Sequence, residues 1–339
     1  MQIDAYTHFI PKKFVETMDR IAGDHKDIGK RMRNIPCIHD LDERRRVVDQ
    51  FKDYAQILSY PMPPVEAVAK PDKVEELTRI INDGFAEIVE KDPDKFPGFV
   101  AQVSLASPEG SVREAERAIG DLGACGVQIY TNINGKPLDR PEFAPFFAAM
   151  EKLGKPIWIH PVRGADHADY LDEQKSLYEI WWAFGWSYET AAAMARLVFS
   201  KTLDRHPDLK LIVHHFGGIV PILEGRIGPG WDQIGARTTD EDYQALKNSL
   251  KKRPLAYFKE NFYADSAVFG ADAATACGLA FYPNEKVVFA SDCPFDPEKG
   301  TAYIRETLRI LHAADLTKAQ RDNIFYKNLE TITGKIFVK

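Results

Sequence analysis

Eight short apolar runs, each followed by apolar residues at three- and four-residue spacing, set the tightest limit on what this chain can become. The runs are Gln2–Ala5, Tyr54–Leu58, Phe99–Val103, Gly126–Tyr130, Pro156–His160, Lys210–His214, Phe262–Ala264 and Lys286–Ala290. Between them, sets such as Val74, Leu77, Ile80, Ile81, Phe85 and Ile88, or Phe143, Phe146, Phe147 and Met150, mark one face of a helix. Alternating strand and helix means parallel strands joined by crossover helices, and eight strands close a TIM barrel. An open doubly wound sheet usually carries a glycine-rich first turn, whereas the turn here reads Thr7-His8-Phe9-Ile10-Pro11. The expectation is therefore an α/β chain forming one (β/α)8 barrel over residues 1–339. Segments 9–40 and 162–187 exceed ordinary loop length. Both follow a strand, so both are expected as insertions on the C-terminal, active-site face. Helix starts are expected at Pro71-Asp72, Ser107-Pro108-Glu109 and Ser187-Tyr188-Glu189.

Charge narrows the partners. A net charge of -6 leaves no basic excess to neutralise phosphates, which argues against a nucleic-acid or anionic-membrane binder. Arg44-Arg45-Arg46 follows Asp40, Asp42 and Glu43 and reads as a solvated helix face. No stretch approaches the roughly 20 apolar residues of a membrane span. The opening is not signal-like, and the four cysteines are far apart with no CxxC pair. A reducing cytoplasm without disulfides is the expectation.

Chemistry gathers at the strand ends. His8 follows the first run, His160 ends the fifth, His214-His215 end the sixth and Asp292 follows the eighth. A barrel brings all these ends to one rim, where imidazole and carboxylate suit Zn²⁺ and similar divalent ions. A single histidine after a strand is more often structural than a ligand. Four such strand ends on one rim are harder to dismiss, and a carboxylate directly after "VVFAS" calls for an ion or charged partner. His25, His39, His167, His206 and His312 fall in loops or helices and read as structural or surface residues.

The order Tyr-x-His, "IWIHP", "HHFGGIVP" and "ASDCPF" resembles the amidohydrolase superfamily, and within it the branch typified by aminocarboxymuconate semialdehyde decarboxylase. That branch also holds decarboxylases of hydroxybenzoates, besides hydratases and lactone hydrolases. The resemblance covers nearly the whole chain. It implies metal ligation by His8, His160 and Asp292, with His215 as general acid/base and Asp292 also able to hold the metal-bound water. His214, beside His215, is expected on the opposite side of the strand, as packing. The resemblance further implies that Arg44 and Arg226 grip the substrate carboxylate, the second from a neighbouring subunit, and hence a homodimer or higher oligomer. Trp182 and Phe295 join them as expected substrate contacts.

Tyr6 stands where the family has its first metal histidine. It could ligate as a phenolate, bond to a metal-bound water or fill space, and an oxygen ligand would shift preference from Zn²⁺ toward Mn²⁺ or Mg²⁺. The reaction expected is non-oxidative decarboxylation of an aromatic or muconate-like acid, with His215 or Asp292 protonating the ring carbon. Tyr170, Tyr178, Trp181, Trp182, Phe184 and Trp186 in the second insertion either line a pocket for a flat substrate or form a subunit interface. A metal-dependent hydrolase or hydratase and a non-catalytic barrel are the two other readings.

Overall fold

A computed structural model describes residues 1–21, 31–32 and 34–338. His25 and part of the first insertion lie outside the described residues. The eight strands are β1 Gln2–His8, β2 Tyr54–Ser59, β3 Gly98–Gln102, β4 Gly126–Tyr130, β5 Ile157–His160, β6 Leu211–Val213, β7 Phe262–Asp265 and β8 Val287–Val288. They pair in that order, every pair parallel. The first and last edges meet through backbone bonds from Ala5 N–H to the Phe289 carbonyl and His8 N–H to the Cys293 carbonyl, both 2.8 Å. The barrel is thus nearly closed, with helices around it.

Alternation divides each strand between two apolar layers. Ile157 and Ile159 of β5, and Leu211 and Val213 of β6, pack outward with the helices. Trp158 and Ile212 face inward with Ile3, Ile57, Val100 and Val288, and Leu329 and Ile332 of the C-terminal helix Asn328–Thr333 join that inner cluster. The same parity sends His160 and His214 inward, at the top of their strands. In β1 the inward Ile3 and His8 are five residues apart, the wrong parity for a regular strand. A register shift between Asp4 and Thr7 absorbs the extra residue, so β1 runs on to His8 rather than stopping at Ala5.

Two of the expected helix starts are built differently. Pro71 does open a helix, Pro71–Lys91. Ser107 precedes Pro108–Gly120 without capping it, because its hydroxyl donates to Glu75 at 2.7 Å. Ser187 lies inside the helix Gly185–Phe199. There its carbonyl approaches Gly218, where a Cβ would sit 2.3 Å from that oxygen at φ 66°, so the contact requires glycine. All four cysteines are free, and no helix among the described residues is long and apolar enough to cross a membrane.

Near the barrel mouth the short helix Val65–Val68 buries Glu66, whose carboxylate accepts a 2.8 Å bond from Ser104 Oγ. Burial raises its pKa from the ordinary 4.5 to about 7. The folded chain therefore keeps a proton that the unfolded chain has lost. Its stabilising effect is complete below about pH 4.5 and disappears as pH rises through 7. Urea unfolding of native and Glu66→Gln proteins at pH 5 and 8 should show the native protein losing on the order of 3 kcal/mol more over this interval. Parallel profiles would refute this assignment.

Candidate active site

The inward histidines are set by their outer nitrogens. The Nδ1 of His8 lies 3.0 Å from Ser59 Oγ, which gives its own proton to the Thr7 carbonyl and so accepts from the imidazole. His160 Nδ1 donates to the Pro161 carbonyl at 2.7 Å. His214 Nδ1 donates to Asp265, and His215 Nδ1 to the Ala267 carbonyl. All four rings therefore carry hydrogen on Nδ1, leaving Nε2 to face the barrel axis.

The remaining donor atoms converge. His8, His160 and His214 form one group with ligand atoms within 4.8 Å of one another, and His214, His215 and Asp292 form another. His8 Nε2 is 2.9 Å and His214 Nε2 3.4 Å from Asp292 Oδ1. Neither approach has hydrogen-bond geometry, so all three atoms are buried without a partner. Unpaired buried polar atoms are costly, and three aimed at one point fit a divalent cation. Three imidazoles and a carboxylate are a suitable donor set for one.

Burial lowers the basicity of His8 and His160. It takes His215 to about 4, aided by the neighbouring charge on His214. Burial also pulls on His214, but Asp265 and then Asp292 outweigh it and carry that ring to about 9. Asp292 is held well below the usual carboxylate range, because the approach of His214 and His8 outweighs its burial.

His214 corrects the expectation that it packs on the far side of its strand. That expectation counted alternation back from His215, but β6 ends at Val213, and His215 lies beyond it at φ 57°. Parity within β6 turns His214 inward, and His215 stacks on it with ring centroids 3.5 Å apart. The Tyr6 ring packs edge-on to His8 and His214 at 4.9 and 4.8 Å. Its hydroxyl donates to Gln128 Oε1, and burial raises its pKa well above 10.

The arginine triplet also splits. Arg45 and Arg46 pair with Asp42 and Glu43 as a helix face should. Arg44 is fully buried: its guanidinium donates to the His8 carbonyl and, at 2.7 Å, to Cys293 Sγ, with Nε unpartnered. It lies behind the donor cluster instead of on an open pocket wall. Arg226 is exposed, with no ion pair among the described residues.

Aromatic rings surround the cluster. Phe295 packs 5.5 Å from the His8 ring, Trp186 5.6 Å from His160 and Phe269 5.1 Å from His215. Trp181 and Trp182 lie behind Trp186, at 5.8 and 6.4 Å. The second insertion thus divides its aromatics: the three tryptophans turn toward the site, while Tyr170, Tyr178 and Phe184 are exposed. Asp265 is the site residue the sequence reading missed. It bonds both the His214 ring and the His215 N–H, the latter at 2.9 Å. Its only sequence signal was an acid directly after the seventh run, as Asp292 follows the eighth.

Elemental analysis is expected to find near one divalent ion per native chain after loading, and little in His160→Ala or His214→Ala. Retention of the ion by His214→Ala would exclude His214 from the ligand set.

Comparison with known proteins identifies the family. The chain is 30% identical over 316 residues to the 2-amino-3-carboxymuconate-6-semialdehyde decarboxylase of Dictyostelium discoideum, covering 87% of this chain and 82% of that protein. It is 30% identical over 309 residues to the gamma-resorcylate decarboxylase of Polaromonas sp. strain JS666, covering 86% and 87%. Among solved structures, the 2,6-dihydroxybenzoate decarboxylase from Rhizobium superposes with a TM-score of 0.77 at 24% identity, covering 98% of each chain. A manganese-bound 5-carboxyvanillate decarboxylase from Novosphingobium aromaticivorans does so at 0.81 and 23%, covering 99% and 97%. The family described as Amidohydrolase matches residues 3–330, and the chain belongs to it.

Proposed function

We propose that this protein is a metal-dependent, non-oxidative decarboxylase of an aromatic carboxylic acid. The observation that carries the proposal is the convergence of unpartnered Nε2 and Oδ1 atoms under a wall of aromatic rings. His8, His160, His214 and Asp292 would hold the ion, and a nitrogen-rich set with Tyr6 committed to Gln128 favours Zn²⁺ or Mn²⁺ over Mg²⁺. When bound, the ion supplies positive charge that stabilises the oxyanion developing beside the departing carboxylate.

The chain's own residues do the rest. Phe295, Trp186 and Phe269 hold a flat ring and exclude water. His215 first takes up a proton at Nε2 from solvent, before the substrate closes the site, and then delivers it to the carboxylate-bearing carbon; its Nδ1 is occupied by Ala267, so Nε2 is the atom that exchanges protons. The C–C bond then breaks, CO₂ leaves and the ring recovers its aromaticity. Arg44, a buried cation behind His8, adds positive potential that draws the carboxylate inward. Relatives named as decarboxylases of gamma-resorcylate and 6-methylsalicylate support this substrate class.

Metal-loaded protein should release CO₂ from at least one member of a panel of hydroxybenzoates and aminocarboxymuconate-like acids. His215→Asn should lower turnover by about 10²-fold or more while keeping its metal. No CO₂ from any member, or ring opening of lactones instead, would overturn the decarboxylase reading.

The outward Tyr170, Leu171, Tyr178 and Phe184, with exposed Ile222 close in sequence to Arg226, support a homodimer in which Arg226 serves the partner's pocket. Sedimentation should find a dimer, and Tyr178→Glu with Phe184→Glu should weaken it; a native monomer would refute the assignment. Four free thiols, three of them buried, suit a reducing cytoplasm.

A further inference from the structure

Beyond the metal-facing floor, Arg31 stands among the aromatic walls. Arg31, from the first insertion, places its guanidinium carbon 5.3 Å from the Phe295 ring and 5.8 Å from the Trp182 ring. One N–H donates to the Phe295 carbonyl, and the group also reaches the Tyr303 hydroxyl. Tyr303 in turn packs on Phe269 at 4.5 Å, and Phe269 on His215. Arg31 therefore touches both sides of the ring-lined space, through Phe295 toward His8 and through Tyr303 and Phe269 toward His215.

The other arginines nearby are differently committed. Arg163, whose carbonyl holds the Trp186 indole N–H, pairs with Glu189 at 3.1 Å. Arg44 is enclosed behind His8. No carboxylate among the described residues pairs with Arg31, and its side chain is exposed at the mouth. A guanidinium has five N–H donors in a rigid fork, and two aromatic faces with a backbone carbonyl fix its orientation before any ligand arrives. An uncommitted, oriented fork beside a flat apolar slot is a receptor for a carboxylate.

We propose that Arg31 determines specificity by receiving a second carboxylate, carried on the edge of the aromatic acid remote from the metal-facing group. The inference rests on the aromatic-acid reading and adds to it: the preferred substrate is an aromatic dicarboxylic acid rather than a simple hydroxybenzoate. Tyr303 donates alongside the fork, and the Phe295 carbonyl ties Arg31 to the loop that starts with Asp292. The two ends of the substrate are thus read by parts of one assembly.

Two nitrophenols test this by titration calorimetry on the manganese-loaded protein. One is 2-nitroresorcinol, which has no carboxylate. The other is 4-hydroxy-3-methoxy-5-nitrobenzoic acid, with a carboxylate across the ring from its phenol. Both accompany manganese in structures of related decarboxylases. Arg31→Gln should weaken the carboxylated ligand about tenfold or more and change 2-nitroresorcinol by less than about twofold, with metal content and melting temperature unchanged. Equal losses for both ligands, or no loss for either, would overturn the proposal. So would a native protein that binds 2-nitroresorcinol but rejects the carboxylated ring. A native protein that binds neither would remove the aromatic-acid reading itself, and the Arg31 role with it.

Discussion

Everything at the barrel mouth depends on where four Nδ1 hydrogens go. Ser59, Pro161, Asp265 and Ala267 each supply an acceptor just outside the ring of strand ends, and each thereby fixes one imidazole's tautomer and orientation. With those hydrogens directed outward, four Nε2 atoms must face inward. Those of His8 and His214, together with Asp292 Oδ1, are buried without a hydrogen-bond partner. A tightly packed barrel surrounds this cluster, and the cation proposed to bind there would supply in one step what hydrogen bonds do not.

Backbone conformation accompanies this. His215 and Phe216 have φ of 57° and 52°, continued by Gly217 and Gly218, and Asp292 has φ of 63°. Left-handed geometry costs a non-glycine residue about 1–3 kcal/mol, and it persists where the surroundings over-determine it. Here the surroundings are identifiable. Asp265 accepts from the His215 N–H, Ala267 receives the His215 ring, and β1 bonds the chain just past Asp292. Strain sits under His215 and Asp292, and the regular strands beneath carry the packing.

Much of this was legible in the sequence, because strand number, order and terminal residues follow from local pattern and barrel closure. His8, His160, His215 and Asp292 could be brought to one rim without coordinates. The direction of His214 could not, since it depends on whether β6 ends one residue earlier or later, and alternation fails past the end. The partner of the Tyr6 hydroxyl lies 122 residues away in Gln128, beyond any local signal. Arg44 looked like its two solvated neighbours, and only helix rotation distinguishes it. Arg31 gave no signal at all: it is one cation in a long insertion, significant only once Trp182, Phe295 and Tyr303 surround it.

The contact between Gly218 and the Ser187 carbonyl joins two parts of the molecule that could have been independent. Ser187 lies on the helix that starts just before Trp186, and Gly218 closes the turn that begins at His215. The surface proposed to recognise the substrate and the turn that carries His215 are therefore mechanically joined. Sliding or tilting that helix to admit a larger molecule would displace His215 as well. Selection for new substrates is thus steered toward exchanging side chains on a stationary helix, and away from remodelling the insertion that carries them.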